Sequence, residues 1–267
     1  VDDLLVVTRS RDDWLLRDFD AHMESKWPGM ARRELDGFLN YSLTRCLLQS
    51  TVARSVADRI EALVREHFPL VPDRTTFPST PFHARILELK LDADDAASRD
   101  LKKMIISVGM KVLYMAVNVR HDILFAVNRI MRVSSNPPAI AWDCLHHLAA
   151  YLYGAREVDL VLGGVDDARD ASATLLFEGE TPSSFRAGSS CDSGHAEDGP
   201  STGGFTLEVG ERVVHATCGK HQVTTLGASD GELYESSRAV ASLSAHRGFV
   251  GELGFAQTAR SELKCDS

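Results

Sequence analysis

The sequence predicts an α/β chain of the α+β kind, helical through much of its first half and rich in short strands in its second. Three observations carry this. Apolar residues recur at helical spacing in "TVARSVADRIEALVREHF", "MIISVGMKVLYMAV" and "AIAWDCLHHLAAYLYGA". Beyond residue 155 the pattern changes to short runs separated by turn residues. Those runs surround one long helical segment in the order strand, strand, strand, helix, strand.

"VDDLLVVTRS" reads as a strand with two carboxylates at its leading end. "RDDWLLRDFDAHMESKW" reads as a helix, with Trp14, Leu15, Phe19 and Met23 at helical spacing and Asp12 and Asp13 at the positive end of its dipole. "ELDGFLNYSLTRCLLQ" suggests a pair of strands. The helix predicted from Thr51 puts Val52, Val56, Ile60, Leu63, Val64 and Phe68 on one face. "PLVPDRTTFPSTPFH" holds four prolines and reads as an extended linker. After the acidic "LDADDAASRD" come two helical runs, the second stopped by Pro137 and Pro138. The next helix stops at Gly154. "DLVLGG", "SATLLFEGE", "SFRAGSSCD", "GGFTLEVGE" and "RVVHATCGKHQV" read as strands. "SDGELYESSRAVASLSAHRGFVGELGF" reads as a long helix and "SELKCDS" as a last strand. The expected division is residues 1–155 and 156–267.

The net charge of −9 gives no general attraction to nucleic acid, so such binding needs a local basic surface or a basic partner. Five cysteines, an odd number with no C-x-x-C pair, point to free thiols in a reducing intracellular compartment. No apolar run reaches the ~20 residues of a membrane helix. The opening residues lack the basic start of a signal peptide. The first residue is Val, which suggests a start cut from something longer.

"SSCDSGHAEDGPSTGGF" raises the question of chemistry. A surface loop is one reading; a strand ending in a metal-binding carboxylate is the other. Asp192 falls at the end of the first strand of the second half, Glu232 in the first turn of the long helix and Asp266 at the end of the last strand. Converging at one sheet edge, they suit a pair of Mg²⁺ ions, whose charge lets several carboxylates share a small space.

A series of blocks in the same order resembles the reverse transcriptase–RNase H region of copia-type retrotransposon polyproteins. "VDDLLV" is similar to the Y-V-D-D box of the polymerase palm, and "STPF" to S-T-P-L of the connecting segment. "VLYMAVNVRHDILFAVNRIMRVSSNP" is similar to L-L-Y-L-A-x-x-T-R-P-D-I-x-F-A-V-x-x-L-S-R-x-x-x-x-P, and "AWDCLHHLAAYLYGA" to H-W-x-A-x-x-R-V-L-R-Y-L-x-G-T. "SSCDSGHAED" followed by "STGGF" resembles Y-S-D-A-D-W-A-G-D followed by S-T-S-G-Y. "GKHQVTTLGASDGELYES" resembles S-K-K-Q-x-x-V-A-L-S-S-T-E-A-E-Y-x-A, and "LKCDS" resembles I-x-C-D-N. The resemblance implies a partial polymerase palm with a helical connection over 1–155, then an RNase H-like mixed sheet with helices over 156–267. It implies Asp2 and Asp3 as polymerase metal ligands. It implies Asp192, Glu232 and Asp266 as catalytic ligands of two Mg²⁺ ions that hydrolyse the RNA of an RNA–DNA hybrid. Lys220 would lie near that substrate.

The departures set the expectation for activity. The chain begins at the box, without the family's upstream aspartate and fingers, so no polymerase activity is expected from it alone. It ends one residue after Asp266, before the family's fourth acid and nearby His. Gly194 stands where the family has a second acid, His195 where it has Trp, and His121 where it has Pro. Two readings follow: a piece of an active polyprotein that is inactive in isolation, or a domesticated, non-catalytic scaffold subunit with other proteins as partners.

Other candidates are weaker. Cys144, His146 and His147 share a helix, but adjacent histidines point to different sides. His215, Cys218 and His221 lie on one strand and turn, with Cys218 off the face that His215 and His221 share. Arg9, Arg11 and "MARRE" are the best basic spots for phosphate contacts, though solvated surface is the simpler reading. No P-loop and no G-x-S-x-G occurs.

Overall fold

The computed structural model describes residues 13–28, 37–38, 41–46, 51–88, 99–132, 138–163, 187–194, 201–209, 212–225, 227–252 and 260–265. It divides into two compact units, Val1–Leu43 and Thr44–Ser267. The expected strand at 1–10 and the run "SATLLFEGE" lie outside the described residues. The described content is mixed: helices together with strands in two sheets.

In the first unit, α1 spans Asp13–Lys26. Strand β1 (Gly37–Phe38) pairs antiparallel with β2 (Tyr41–Cys46), whose last residues belong to the second unit.

The helix expected from Thr51 begins six residues later. Residues Thr51–Ser55 form strand β3, and α2 runs from Ala57 to His67. Thr51 and Val52 are β-branched, and they find a partner in β4 (Leu160–Gly163), with Val52 opposite Leu162 and Arg54 opposite Leu160. Sheet pairing at long range therefore outweighs the local helical spacing. Ser55 Oγ accepts the Ala57 N–H at 3.4 Å, and the Val56 carbonyl accepts the Ile60 N–H at 3.0 Å, which fixes the start of α2. The expected apolar face holds from Val56 onward: Ile60, Leu63, Val64 and Phe68 are buried.

Residues 69–83 form turns, as the prolines require, and a single 3-10 stretch follows at Ala84–Glu88. Three helices complete this half: α3 (Arg99–Asn118), α4 (Leu124–Arg132) and α5 (Pro138–Gly154). Pro138 opens α5, where a missing N–H costs nothing; it was expected to close the helix before it. Between α3 and α4, the "RHD" segment folds as a 3-10 turn at His121–Ile123. Arg120, only 1% exposed, anchors that turn. It donates to both Asp122 oxygens at 2.9 and 2.7 Å and to the Ala155 carbonyl at 2.8 Å. The Tyr151 hydroxyl donates to the same carboxylate at 2.8 Å, and the Tyr151 ring lies 5.6 Å from the guanidinium. Phe68 stacks on Trp142 with ring centres 5.0 Å apart, joining α2 to α5.

The second sheet has the expected element order and is mixed, with three antiparallel strands and a parallel fourth. Strands β5 (Ala187–Gly194), β6 (Thr202–Val209) and β7 (Arg212–Lys220) form a meander, and β8 (Glu262–Cys265) lies parallel to β5. The spatial order is β7-β6-β5-β8. Helix α6 (Ala228–Glu252) packs on β5 and β6. Ala187, Cys191, Phe205 and Leu207 from the sheet meet Ala239 and Leu243 from the helix. The helices of the first half reach this sheet at β7, where Asn128 Nδ2 donates to the Cys218 carbonyl at 2.9 Å. No helix among the described residues is long and apolar enough to cross a membrane.

Candidate functional site

Strand β5 carries the candidate Asp192, and alternation sorts its side chains onto two faces. Ala187 and Cys191 face α6, since both belong to the cluster that includes Ala239 and Leu243. Ser193 faces it too: a Cβ on Gly231 of α6 would collide with Ser193 Oγ. Gly188, Ser190 and Asp192 therefore occupy the opposite face. Ser190 Oγ donates there to Glu208 Oε1 at 3.0 Å, and Lys264 Nζ lies 3.7 Å from Glu208 Oε2. Asp192 is exposed, and its Oδ1 accepts the N–H of Ser193 at 2.7 Å.

On α6, the buried residues Gly231, Glu235, Ala239 and Leu243 form a stripe with a spacing of four. Glu232 stands about 100° round the helix from Gly231 and is half-buried. Alternation thus sets Asp192 on the face of β5 away from α6, while Glu232 lies near the start of that helix. Asp266, Asp2 and Asp3 lie outside the described residues. Lys220 is exposed at the last position of β7. Among the described residues no three His, Cys, Asp or Glu side chains form a group suited to a metal ion.

The carboxylate that α6 turns toward the sheet is Glu235, which is fully buried. Its Oε1 lies 3.1 Å from His221 Nε2, and Arg238 Nη1 donates to its two oxygens at 2.8 and 3.1 Å. His221, 1% exposed, follows β7 and is tied back by its N–H to the Ser201 carbonyl at 2.9 Å. The His221–Glu235 pair is within ion-pair reach without meeting hydrogen-bond geometry, and neither ring nitrogen of His221 has a hydrogen-bond partner among the described residues. The Tyr234 ring sits 5.0 Å from the imidazole, and the Arg238 guanidinium lies 5.7 Å from the Phe205 ring. Gly203 of β6 makes the close approach possible: a Cβ there would run into Glu235 Cγ and come within 2.6 Å of His221 Nε2. A carboxylate set between His221 and Arg238 and sealed from water positions the helix on the sheet.

Sequence reasoning singled out Glu232 and missed Glu235. The missed signal was the stripe of 231, 235, 239 and 243, which puts position 235 on the sheet side. Arg238 three residues on is a second signal, an i,i+3 partner.

The histidine groups resolve differently. Arg74, His83, Asp143, His146 and His147 line a shallow cleft of about 220 Å³. His147 Nε2 contacts the Thr80 carbonyl at 3.1 Å, and Cys144 Sγ lies 4.0 Å from His83 Nδ1. Burial, then the charge of Arg74, holds His146 below the usual imidazole range. Burial does the same for His147 against the opposing hydrogen bond to Thr80. His215 and Cys218 lie on β7 opposite Leu207 and Gly204, on alternate faces. The expected separation of Cys218 from its histidine neighbour is therefore seen.

Comparison with known proteins returned no matching family model, no matching curated protein and no matching solved structure.

Proposed function

We propose that this chain is a copia-type polyprotein segment, a partial polymerase palm and helical connection followed by an RNase H-like sheet. We propose further that the isolated chain does not cleave RNA–DNA hybrids. What supports the lineage is the ordered series of blocks and a second-half element order of strand, strand, strand, helix, strand with a parallel last strand. The single observation that carries the non-catalytic reading is the side-chain alternation of β5, which turns Asp192 away from α6 while Glu235 faces the sheet between His221 and Arg238. A two-ion site needs its carboxylates within reach of ions about 3.5–4 Å apart.

The same observation favours the second reading, a domesticated RNase H-like scaffold subunit that partners other proteins. A core fixed by an internal ion cluster serves a packed assembly as well as it serves an enzyme.

The test is Mg²⁺-dependent cleavage of a labelled RNA–DNA hybrid by the full chain and by Asp192→Asn. No cleavage by either is expected. Cleavage by the wild-type chain that is lost in Asp192→Asn overturns the non-catalytic reading. Mass spectrometry of the endogenous polypeptide separates the two lineages of use. Peptides continuous with an upstream polymerase segment mark the polyprotein, and stable recovery within a complex at this chain's own length marks the scaffold.

A further inference from the structure

Cys191 and Cys265 stand opposite one another where β5 and β8 pair in parallel. Their sulfurs are 3.1 Å apart and unlinked. Ser236 Oγ of α6 lies 3.5 Å from the first and 3.2 Å from the second. Neighbouring strands run about 4.8 Å apart, inside the Cα separation of about 4.4–6.8 Å that a disulfide spans. A bond of about 2.05 Å needs the sulfurs to close by roughly 1 Å, which side-chain rotation supplies without moving either strand. The two thiols differ in access: Cys265 is exposed, whereas Cys191 is 7% exposed.

We propose that Cys191 and Cys265 form an oxidant-responsive dithiol that closes to a disulfide between β5 and β8 when the chain meets hydrogen peroxide. Cys265, the more exposed of the two residues, reacts first. The Cys265 thiolate attacks one peroxide oxygen, the O–O bond breaks, and the departing hydroxide takes up the thiol proton to leave as water. The product is a sulfenic acid on Cys265. Cys191 sulfur then attacks the Cys265 sulfur, the S–O bond breaks, and the leaving hydroxide carries off the Cys191 proton as a second water. Two thiols and one peroxide become one disulfide and two waters; sulfur is oxidised and peroxide oxygen reduced. Burial raises the Cys191 thiol, opposed by the Ser236 hydroxyl, so Cys191 resists the peroxide itself and serves as the resolving partner. Ser236 Oγ lies within reach of both sulfurs and is placed to relay the Cys191 proton to the leaving hydroxide. A small dithiol reverses the bond by exchange.

The consequence falls on β8. It has four residues and, among the described residues, lies at the sheet's edge and pairs with β5 alone. Such a strand opens readily until it is tied down.

The experiment uses the full chain with limiting hydrogen peroxide, followed by peptide mapping without reductant and by hydrogen exchange. The expected result is a Cys191–Cys265 linked peptide, loss of both free thiols, and about tenfold slower exchange at the Leu263 and Lys264 amides, all reversed by dithiothreitol. Cys265→Ser, a change at an exposed position, should leave Cys191 reduced at the same dose. Two outcomes overturn the proposal: Cys265 converted to sulfinic acid while Cys191 stays a free thiol, or linked peptides that join either cysteine to Cys46, Cys144 or Cys218.

Discussion

Replacing Glu235 tests whether the ion cluster under α6 holds the second sheet together. Glu235→Ala removes a fully buried carboxylate and leaves His221 and Arg238 facing one another. Breaking a fully buried pair by removing one partner costs about 3–5 kcal/mol. Arg238 is 38% exposed and can turn to water, so the low end applies and the expected loss is about 3 kcal/mol. Glu235→Gln keeps the shape and one acceptor, and its expected loss is about 1–2 kcal/mol. The measurement is the urea midpoint of the full chain by far-UV circular dichroism, with the slope checked for constancy. The Ala and Gln variants should rank in that order, and Glu235→Ala with Arg238→Ala should lose less than the sum of the two single changes. A Glu235→Ala loss below about 0.5 kcal/mol, the size of a surface change, would refute the reasoning, because the carboxylate would then be solvated and available to a ligand.

Gly203→Ala pushes a methyl into Glu235 Cγ and His221, so it should cost about 1–3 kcal/mol by overpacking. Gly194→Ala is the control on the same sheet: among the described residues its added Cβ meets nothing closer than 3.7 Å, and its urea midpoint should stay near wild type. Asp122→Asn should cost about 2 kcal/mol, less than a buried pair because Asp122 is 39% exposed although Arg120 is 1% exposed. Burial pushes the Asp122 carboxyl up, but the hydrogen bond and charge of Arg120, with the Tyr151 hydroxyl, hold it below its ordinary 3.8. A carboxyl lowered on folding contributes stability above its unfolded pKa and loses it as the pH falls through the folded one. Wild-type stability should therefore decline below about pH 4, and in Asp122→Asn that part of the decline should be missing from urea midpoints measured between neutral and acid pH.

Much of the layout was legible because it rests on local patterns. The strands at 187–194, 202–209 and 212–220, the helix from Ala228 and the last strand from Glu262 follow the runs of alternating residues and the turn residues between them. The strand at Thr51–Ser55 was not legible. Its partner is Leu160–Gly163, more than a hundred residues away, and nothing within the segment announces that pairing. Pro138 was legible only in part: it follows the end of α4 as expected, and the same residue also opens α5, since a proline marks a helix boundary without saying on which side the helix lies.

Which way the candidate side chains turn was not legible in the sequence, and the reason is parity. Identifying Asp192 as a strand-end carboxylate is a statement about position along the strand, which sequence supplies. Whether its side chain meets α6 depends on which alternate set of β5 residues packs inward, and a shift of one residue reverses the answer. Here the inward set is Ala187, Cys191 and Ser193, small and weakly polar residues that let the helix come close. Gly203 and Gly231 tell the same story from the facing elements, since both lack the side chain that would hold the layers apart. Beneath that close packing the inward carboxylate of α6 is Glu235, beside His221 and Arg238. The cysteine pair follows from the same parity. The parallel register that sets Cys191 beside Cys265 puts both sulfurs on the helix side, within reach of Ser236. One choice of face thus removes Asp192 from the helix and brings two thiols together beneath it.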